Sequence, residues 1–311
     1  MEILSNLLLA SRESVNTRTF LLGEGYSLED AEKTAIATGF DNLSRFGAMS
    51  VDRLISENGE TLRSHLGGLA TEIRLIIVAS QTNNRKIPNG ASLLQSELNL
   101  QENVLCYEIV DGCNGFVKAL HLADRLLEDG EVGVIFAGEL NSVMVKDSAP
   151  GTSVLFGDGF GLTVIRKTGP FSSMMMQSGK RGGAIRFGGE DTSLVMKGLE
   201  VFAFTSAEVP RLMAPLSEHG YSELRFPVFH QASRLIVEQL GRKVGATSLP
   251  FPLFNSGNVG NLGAGSIPSW IANQGDILKG SELICVGFGA GLSWGYATAI
   301  WTEGANEIIY V

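Results

Sequence analysis

Short apolar runs bounded by charges or turn residues recur along this chain, at residues 75–79 (LIIVA), 132–137 (VGVIFA), 153–156 with 162–165, 226–229 and 283–287 (LICVG). Runs of this length that do not alternate apolar with polar mark strands covered on both faces. Such strands persist only if something apolar lies on each side of the sheet, and the helical periodicity between the runs supplies it. Phe116, Ala119, Leu120, Ala123, Leu126 and Leu127 keep an i, i+3, i+4 spacing up to Gly130, and Ala232, Ile236, Leu240 and Val244 form an i+4 stripe. Strands alternating with helices predict an α/β sheet with helices on both faces. With 311 residues, 44% of them hydrophobic, the chain can bury a large core.

A polar, glycine-containing stretch at 167–189 divides the chain into two comparable parts, 1–167 and 168–311. Each part ends in a glycine-punctuated, hairpin-like pattern, VLFGDGFGLTVI and then ICVGFGAGLSWGYATAI, which hints at internal duplication. Gly157, Gly159 and Gly161 do not form a dinucleotide fingerprint, because LTVI continues as a strand where that fingerprint needs a helix. A tight β-turn is expected there instead. The net charge of −9 and the absence of a dense Lys/Arg run count against nucleic acid and anionic membrane as partners. No segment approaches twenty unbroken apolar residues and MEILSNLLLASRES lacks a basic leader pattern, so a cytoplasmic location is expected. Three cysteines, with no C-x-x-C or close His pair, predict neither a disulfide framework nor a zinc site, and no cofactor or metal is expected.

One cysteine stands apart. Cys113 lies in Asp-Gly-Cys-Asn-Gly, where the run YEIV gives way to a helix. A thiol at a helix N-terminus feels unpaired N–H groups and the positive end of the macrodipole, which favour thiolate, and its own N–H can serve an oxyanion. The alternative is a buried cysteine acting as a small hydrophobe, the reading that suits Cys106 and Cys285. Of the four histidines, His230 ends the run FPVF and opens another strand-to-helix junction, whereas His65, His121 and His219 sit in polar contexts and are expected to be solvated. Asn261, in NVGNLGAGSIPSW, is either a site amide approached closely by substrate or a turn residue.

Taken in order, DGCNGFVKALHLADRLL, GTSVLFGDGFGLTVI, MKGLEVFAFTSAEVPRLM, FHQASRLIVEQL, GNLGAGSIPSW and GFGAGLSWG resemble the β-ketoacyl-acyl-carrier-protein synthase III family of the thiolase-like fold. The resemblance runs from about Thr38 to the C-terminus. It implies a duplicated, five-layered α-β-α-β-α core, a homodimer, and a Cys–His–Asn constellation matching Cys113, His230 and Asn261. It implies ping-pong decarboxylative Claisen condensation: Cys113 takes an acyl group from a thioester, with the N–H groups of Cys113 and Gly291 as oxyanion hole. His230 and Asn261 then stabilise the enolate of a malonyl unit. Acyl thioesters of coenzyme A or acyl carrier protein would be the substrates.

Three further expectations follow from the resemblance. Ile87 matches a residue that reaches the partner's acyl tunnel, with ordinary interface packing as the alternative. Arg234, Arg242 and Lys243 on the helix after His230 would form a docking patch for the acidic carrier protein, or simply a solvated face. The adenine clamp of coenzyme A users is missing: EKTAIATGF holds no Trp, and Pro150 stands where an Arg would precede Gly151. That loss leaves room for a second reading, an acyltransferase moving the acyl group from Cys113 to an amine or hydroxyl without decarboxylation. A non-catalytic partner of an active paralogue is a third, disfavoured because such a subunit has no chemical reason to keep Cys113, His230 and Asn261.

Overall fold

The computed structural model describes residues 1–256, 258–274, 279–302 and 304–311. Its first five core strands are β1 (Glu2–Ala10), β2 (Ile73–Ala79), β3 (Leu105–Ile109), β4 (Val132–Leu140) and β5 (Asp158–Arg166). They lie in the order β3-β2-β4-β5-β1, with β2 parallel to β3 and β4, and β5 antiparallel to β4 and β1. Next come β6 (Ser173–Gln177), a hairpin of β7 (Ile185–Gly188) and β8 (Asp191–Met196), then β9 (Arg225–Phe229), β10 (Glu282–Gly289), β11 (Ser293–Trp301) and β12 (Asn306–Tyr310).

Four of these repeat the earlier order as β9-β10-β11-β6, parallel between β9 and β10 and antiparallel across β11. The duplication hinted at by two glycine patterns is therefore visible in strand order and direction. The second copy departs at one edge: among the described residues nothing pairs outside β9, where β3 stands in the first. The two sheets meet at β1, which pairs β11 over Glu2 and Ile3 and β12 from Asn6 to Ala10. Strand β1 is not among those the apolar runs predict, because Ser5 and Asn6 interrupt its run, although it lies mostly buried where the two halves join.

Helices complete the layers: α1 (Leu28–Thr38), α2 (Val51–Glu57), α3 (Gly59–Leu66), α4 (Gly90–Glu97), α5 (Gly115–Leu126), α6 (Gly198–Ser217), α7 (Arg234–Val244) and α8 (Ser266–Ala272). Helix α5 touches β2 and β4 on one side and β10 and β11 on the other; α8 touches β9 and also β1 and β5. These two form the central layer, where Phe116, Leu120, Ile267 and Trp270 pack against Ile77, Ile135, Phe226 and Cys285. Alternate residues of the same strands face outward. Ile76, Val78 and Phe136 meet Leu54, Leu62 and Leu94, while Ile284, Val286 and Phe229 meet Leu212, Met213 and Leu240. Covering both faces of each sheet is what the unbroken apolar runs require, and each fully buried large side chain contributes about 1.5–3 kcal/mol. The result is the α-β-α-β-α stack of the thiolase-like fold.

Two local expectations were wrong. Residues 153–156 are not a strand: Pro150–Ser153 is a single helical turn, started by a proline at its first position, and Phe156 makes only an isolated bridge to Asn261. Gly159 and Gly161 form no turn either. They lie inside β5, where a Cβ would fall 2.8 Å from Leu262 Cδ1 and 2.3 Å from Pro268 Cβ. The glycines let the turn before α8, and α8 itself, press onto the sheet. Among the described residues no helix is long and apolar enough to cross a membrane, and no group of three or more His, Cys, Asp or Glu could hold a metal.

Candidate active site

Cys113, His230 and Asn261 come from distant parts of the chain, each on a loop leading into a helix, and they line one cavity of about 200 Å³. Ligands of α/β sheets bind at the carboxyl ends of strands, and the loops after β3 and β9 bring Cys113 and His230 there. Apolar side chains make up most of the wall, among them Leu155, Met196, Phe202, Leu235 and Phe288.

Cys113 does not cap α5. The helix begins at Gly115 behind Asn114, and the sulfur sits in the preceding turn. Asn114 is fully buried and donates through Nδ2 to Ser293 Oγ at 2.8 Å, while Ser293 Oγ donates to Asp111 at 3.2 Å. Lys118 pairs with the same carboxylate. The nucleophile turn is thus tied to β11 of the other half. Small residues opposite make space for it: a Cβ on Gly289 would lie 2.6 Å from Cys113 Cβ and 2.9 Å from its sulfur.

Cys113 is only partly exposed, at the cavity wall, and the loss of water around its sulfur pushes the thiol up to about 12, with the charges of Glu139 and Asp111 adding to it. Hydrogen bonds from the backbone N–H groups of Ala290 and of Cys113 itself act in the opposite direction. The expectation of a resting thiolate activated by the helix is therefore corrected, because desolvation outweighs the local donors. The oxyanion-hole expectation shifts by one residue. The second N–H reaching the sulfur belongs to Ala290, which lines the cavity; Gly291, at φ +122°, does not line it.

His230 extends the β9–β10 ladder by donating its N–H to Val286 O at 2.8 Å. Fully buried Gln231 locks the turn, its Nε2 donating to Phe229 O and Leu253 O while its Oε1 accepts from Asn255 N. Burial depresses the imidazole to about 3, against a hydrogen bond with the Gly263 backbone, so it is neutral at physiological pH. Its Nδ1 is buried and without a partner.

Asn261 is clamped on every side. Its N–H donates to Leu155 O, and its carbonyl accepts from Gly157 N and Asn141 Nδ2, each at 3.0 Å. Its Oδ1 accepts from Gly263 N at 2.9 Å and Ser266 Oγ at 3.1 Å. Because the Gly263 N–H can only donate, it requires the amide oxygen on its side, so the amide orientation is fixed and the NH₂ is the end left for the cavity.

The remaining expected residues separate. Ile87 is 90% exposed. Arg234 lies over the Phe254 ring at 5.6 Å and, with Arg242 and Glu238 between them, lines a groove outside the cavity, whereas Lys243 turns away to donate to Ser206 O. The three cations therefore do not form one patch. His219 is exposed, but His65 is not solvated: its side chain is buried and bonded to Glu307 at 2.9 Å. Sequence reasoning missed Asn141, Ser266 and Glu139. Only Glu139 left a signal, an acid at the end of an otherwise apolar strand, VGVIFAGEL.

This arrangement can be set beside known proteins. The profile described as 3-oxoacyl-[acyl-carrier-protein (ACP)] synthase III matches residues 107–181, and its C-terminal counterpart matches 217–301. A β-ketoacyl-[acyl-carrier-protein] synthase III of Streptococcus suis (strain 05ZYH33) is 32% identical over 251 residues, covering 73% of this chain and 77% of that protein. The chain belongs to the β-ketoacyl-acyl-carrier-protein synthase III family. A synthase III of Lactococcus lactis subsp. cremoris (strain SK11) is 29% identical over 298 residues, 88% of each chain. Among solved structures, a 3-oxoacyl-(acyl-carrier protein) synthase from Burkholderia xenovorans LB400 superposes with a TM-score of 0.88 at 27% identity, covering all of this chain and 97% of that one. Synthase III membership accounts for the order of motifs and for the five-layered fold.

Proposed function

We propose that the chain is a condensing acyltransferase that joins an acyl group held on Cys113 to the two-carbon unit of a malonyl thioester. The observation that carries this is the free amide NH₂ of Asn261, fixed beside a neutral imidazole and a thiol in one apolar cavity. In the first half-reaction Cys113 attacks a thioester carbonyl. Its S–C bond forms as the donor's C–S bond breaks, the thiol proton leaves with the departing thiol, and the N–H groups of Cys113 and Ala290 hold the oxyanion.

In the second half-reaction malonyl thioester loses carbon dioxide. The enolate oxygen is stabilised by neutral donors, Asn261 Nδ2 and the imidazole, which do not protonate the carbon nucleophile. That carbon attacks the acyl-cysteine, its new C–C bond forming as the C–S bond breaks, and the sulfur leaves as thiolate and takes one proton from solvent. Simple acyl transfer to an amine or hydroxyl would need no donor at Asn261, so the amide built there counts against it. The apolar wall suits a neutral acyl group and thioester arm; such thioesters, carried by acyl carrier protein or coenzyme A, would be the only small molecules required.

The partner is read as acyl carrier protein, approaching α7 with Arg234 and Arg242 as its steering cations. A homodimer in the cytoplasm completes the reading. Edge strand β3 exposes Leu105 and Tyr107, and Val110 just beyond it is 71% exposed, an apolar edge that a second copy would cover. Ile87 would then reach the partner. Incubation with malonyl carrier protein and a panel of acyl donors, following carbon dioxide and 3-oxoacyl product by mass spectrometry, tests the function. Product from some donor, with an acyl adduct on Cys113, is expected; no turnover with any donor rejects it.

A further inference from the structure

We propose that Glu139 is a positioning residue that braces the loops carrying the site and sets its carboxylate charge against loss of the Cys113 proton; this rests on Cys113 being the nucleophile. Glu139 is fully buried near the end of β4. Its Oε2 accepts from Ser80 Oγ at 3.0 Å, Gln81 N at 3.0 Å, Thr82 N at 3.1 Å and Thr82 Oγ1 at 2.8 Å. One oxygen thus holds the loop after β2, whose Gln81 lines the cavity and closes over Gly112, where a Cβ would fall 2.7 Å from Gln81 Oε1.

The other side of the same side chain supports the turn of Asn261. Gly263, at φ +57°, packs so closely that a Cβ would lie 2.4 Å from Glu139 Cγ. Its N–H donates to Asn261 Oδ1 and its backbone bonds the His230 imidazole. A single buried carboxyl therefore abuts the supports of the thiol, the imidazole and the amide.

Residue type is the telling point. A Gln could satisfy the donors around Oε2 with its own carbonyl oxygen, so bracing alone does not call for an acid. The acid adds charge. The groups facing Cys113 are Glu139, Asp111 and His230; His230 is neutral and Asp111 is paired with Lys118, whereas among the described residues no Lys or Arg pairs with Glu139. Burial raises the Glu139 carboxyl to about 8, so its charge appears within the working range of pH. Neutral, it eases loss of the thiol proton; ionised, it opposes that loss.

The test is the rate of Cys113 alkylation by iodoacetamide from pH 6 to 10 in the full chain, with the adduct located by mass. In the unsubstituted protein the logarithm of the rate should climb one decade per pH unit at first, then slacken near pH 8 as Glu139 ionises. In E139Q the slackening should vanish and the rate above pH 8 should rise roughly tenfold, while E139D, which keeps the charge, should retain it. A purely structural role would change melting temperature without touching this profile. An unbroken unit slope in the unsubstituted protein overturns the proposal whether or not E139Q folds, as does an E139Q profile identical to the parent's. Coupling without any condensation activity would instead sink the function reading and leave the role of Glu139 intact.

Discussion

Replacing Asn261 by Asp in a Cys113→Ala background isolates the decarboxylation step from the state of the thiol. The substitution is nearly isosteric, and the Asp can accept from Gly263 N and Ser266 Oγ as the Asn does at 2.9 and 3.1 Å. The backbone clamp through Leu155, Gly157 and Asn141 does not involve the side chain at all. The fold should therefore survive. What disappears is the NH₂ facing the cavity, and an acceptor takes its place. Loss of one preorganised oxyanion donor costs about 2.7–4 kcal/mol, or roughly 10²–10³ in rate. Carbon dioxide release from a malonyl thioester, compared between Cys113→Ala and the double variant at matched melting temperature, should fall by at least that factor. A double variant that decarboxylates within about threefold of its parent, a difference of about 0.65 kcal/mol, would refute the placement of the amide as an enolate donor.

Other perturbations read other parts of the structure. His230 titrates near 6.5 when unfolded and is held down to about 3 when folded, so below pH 6.5 the unfolded chain gains the proton and stability falls as pH drops. Between pH 7 and 5 this costs up to about 2 kcal/mol, and denaturant unfolding of His230→Asn should lack that loss; parallel losses in both proteins would contradict the burial argument. Gly157→Ala would put a Cβ 1.7 Å from Val259 O and spread the bridge to Asn261. Its penalty should reach or pass the top of the roughly 1–3 kcal/mol range for overpacking, seen as a lowered melting temperature, and an unchanged one would refute the fit. If the proposed homodimer forms through the exposed edge after and within β3, Val110→Asp combined with Leu105→Asp should shift its sedimentation to that of a monomer while leaving the fold intact by circular dichroism. A dimer unaffected by both charges would place the interface elsewhere.

How much of this could be read in advance differs by element. The runs at 75–79, 132–137, 226–229 and 283–287 became strands because burial on both faces leaves an unmistakable local pattern. The apolar run at 153–156 did not, because Pro150 starts a helical turn and the segment is needed to bridge Asn261. Gly159 and Gly161 look like turn residues in isolation. Their cause is a helix and turn pressing on the strand from about a hundred residues later in the chain, which no local window contains. Cys113, His230 and Asn261 were recognisable from their junctions and motifs, yet the resting state of the thiol was not, since desolvation is a property of everything packed around it.

The chain's pattern alone determined the alternation of buried strands and amphipathic helices, and which thiol, imidazole and amide deserved notice. Those features depend on neighbours within a turn or two. Only the tertiary structure decided that the three groups converge, that Ala290 rather than Gly291 donates to the sulfur, that burial outweighs the helix at Cys113, and that Glu139 abuts their supports. Such facts depend on distances between residues far apart in sequence, and on a local dielectric that exists only once the layers have closed.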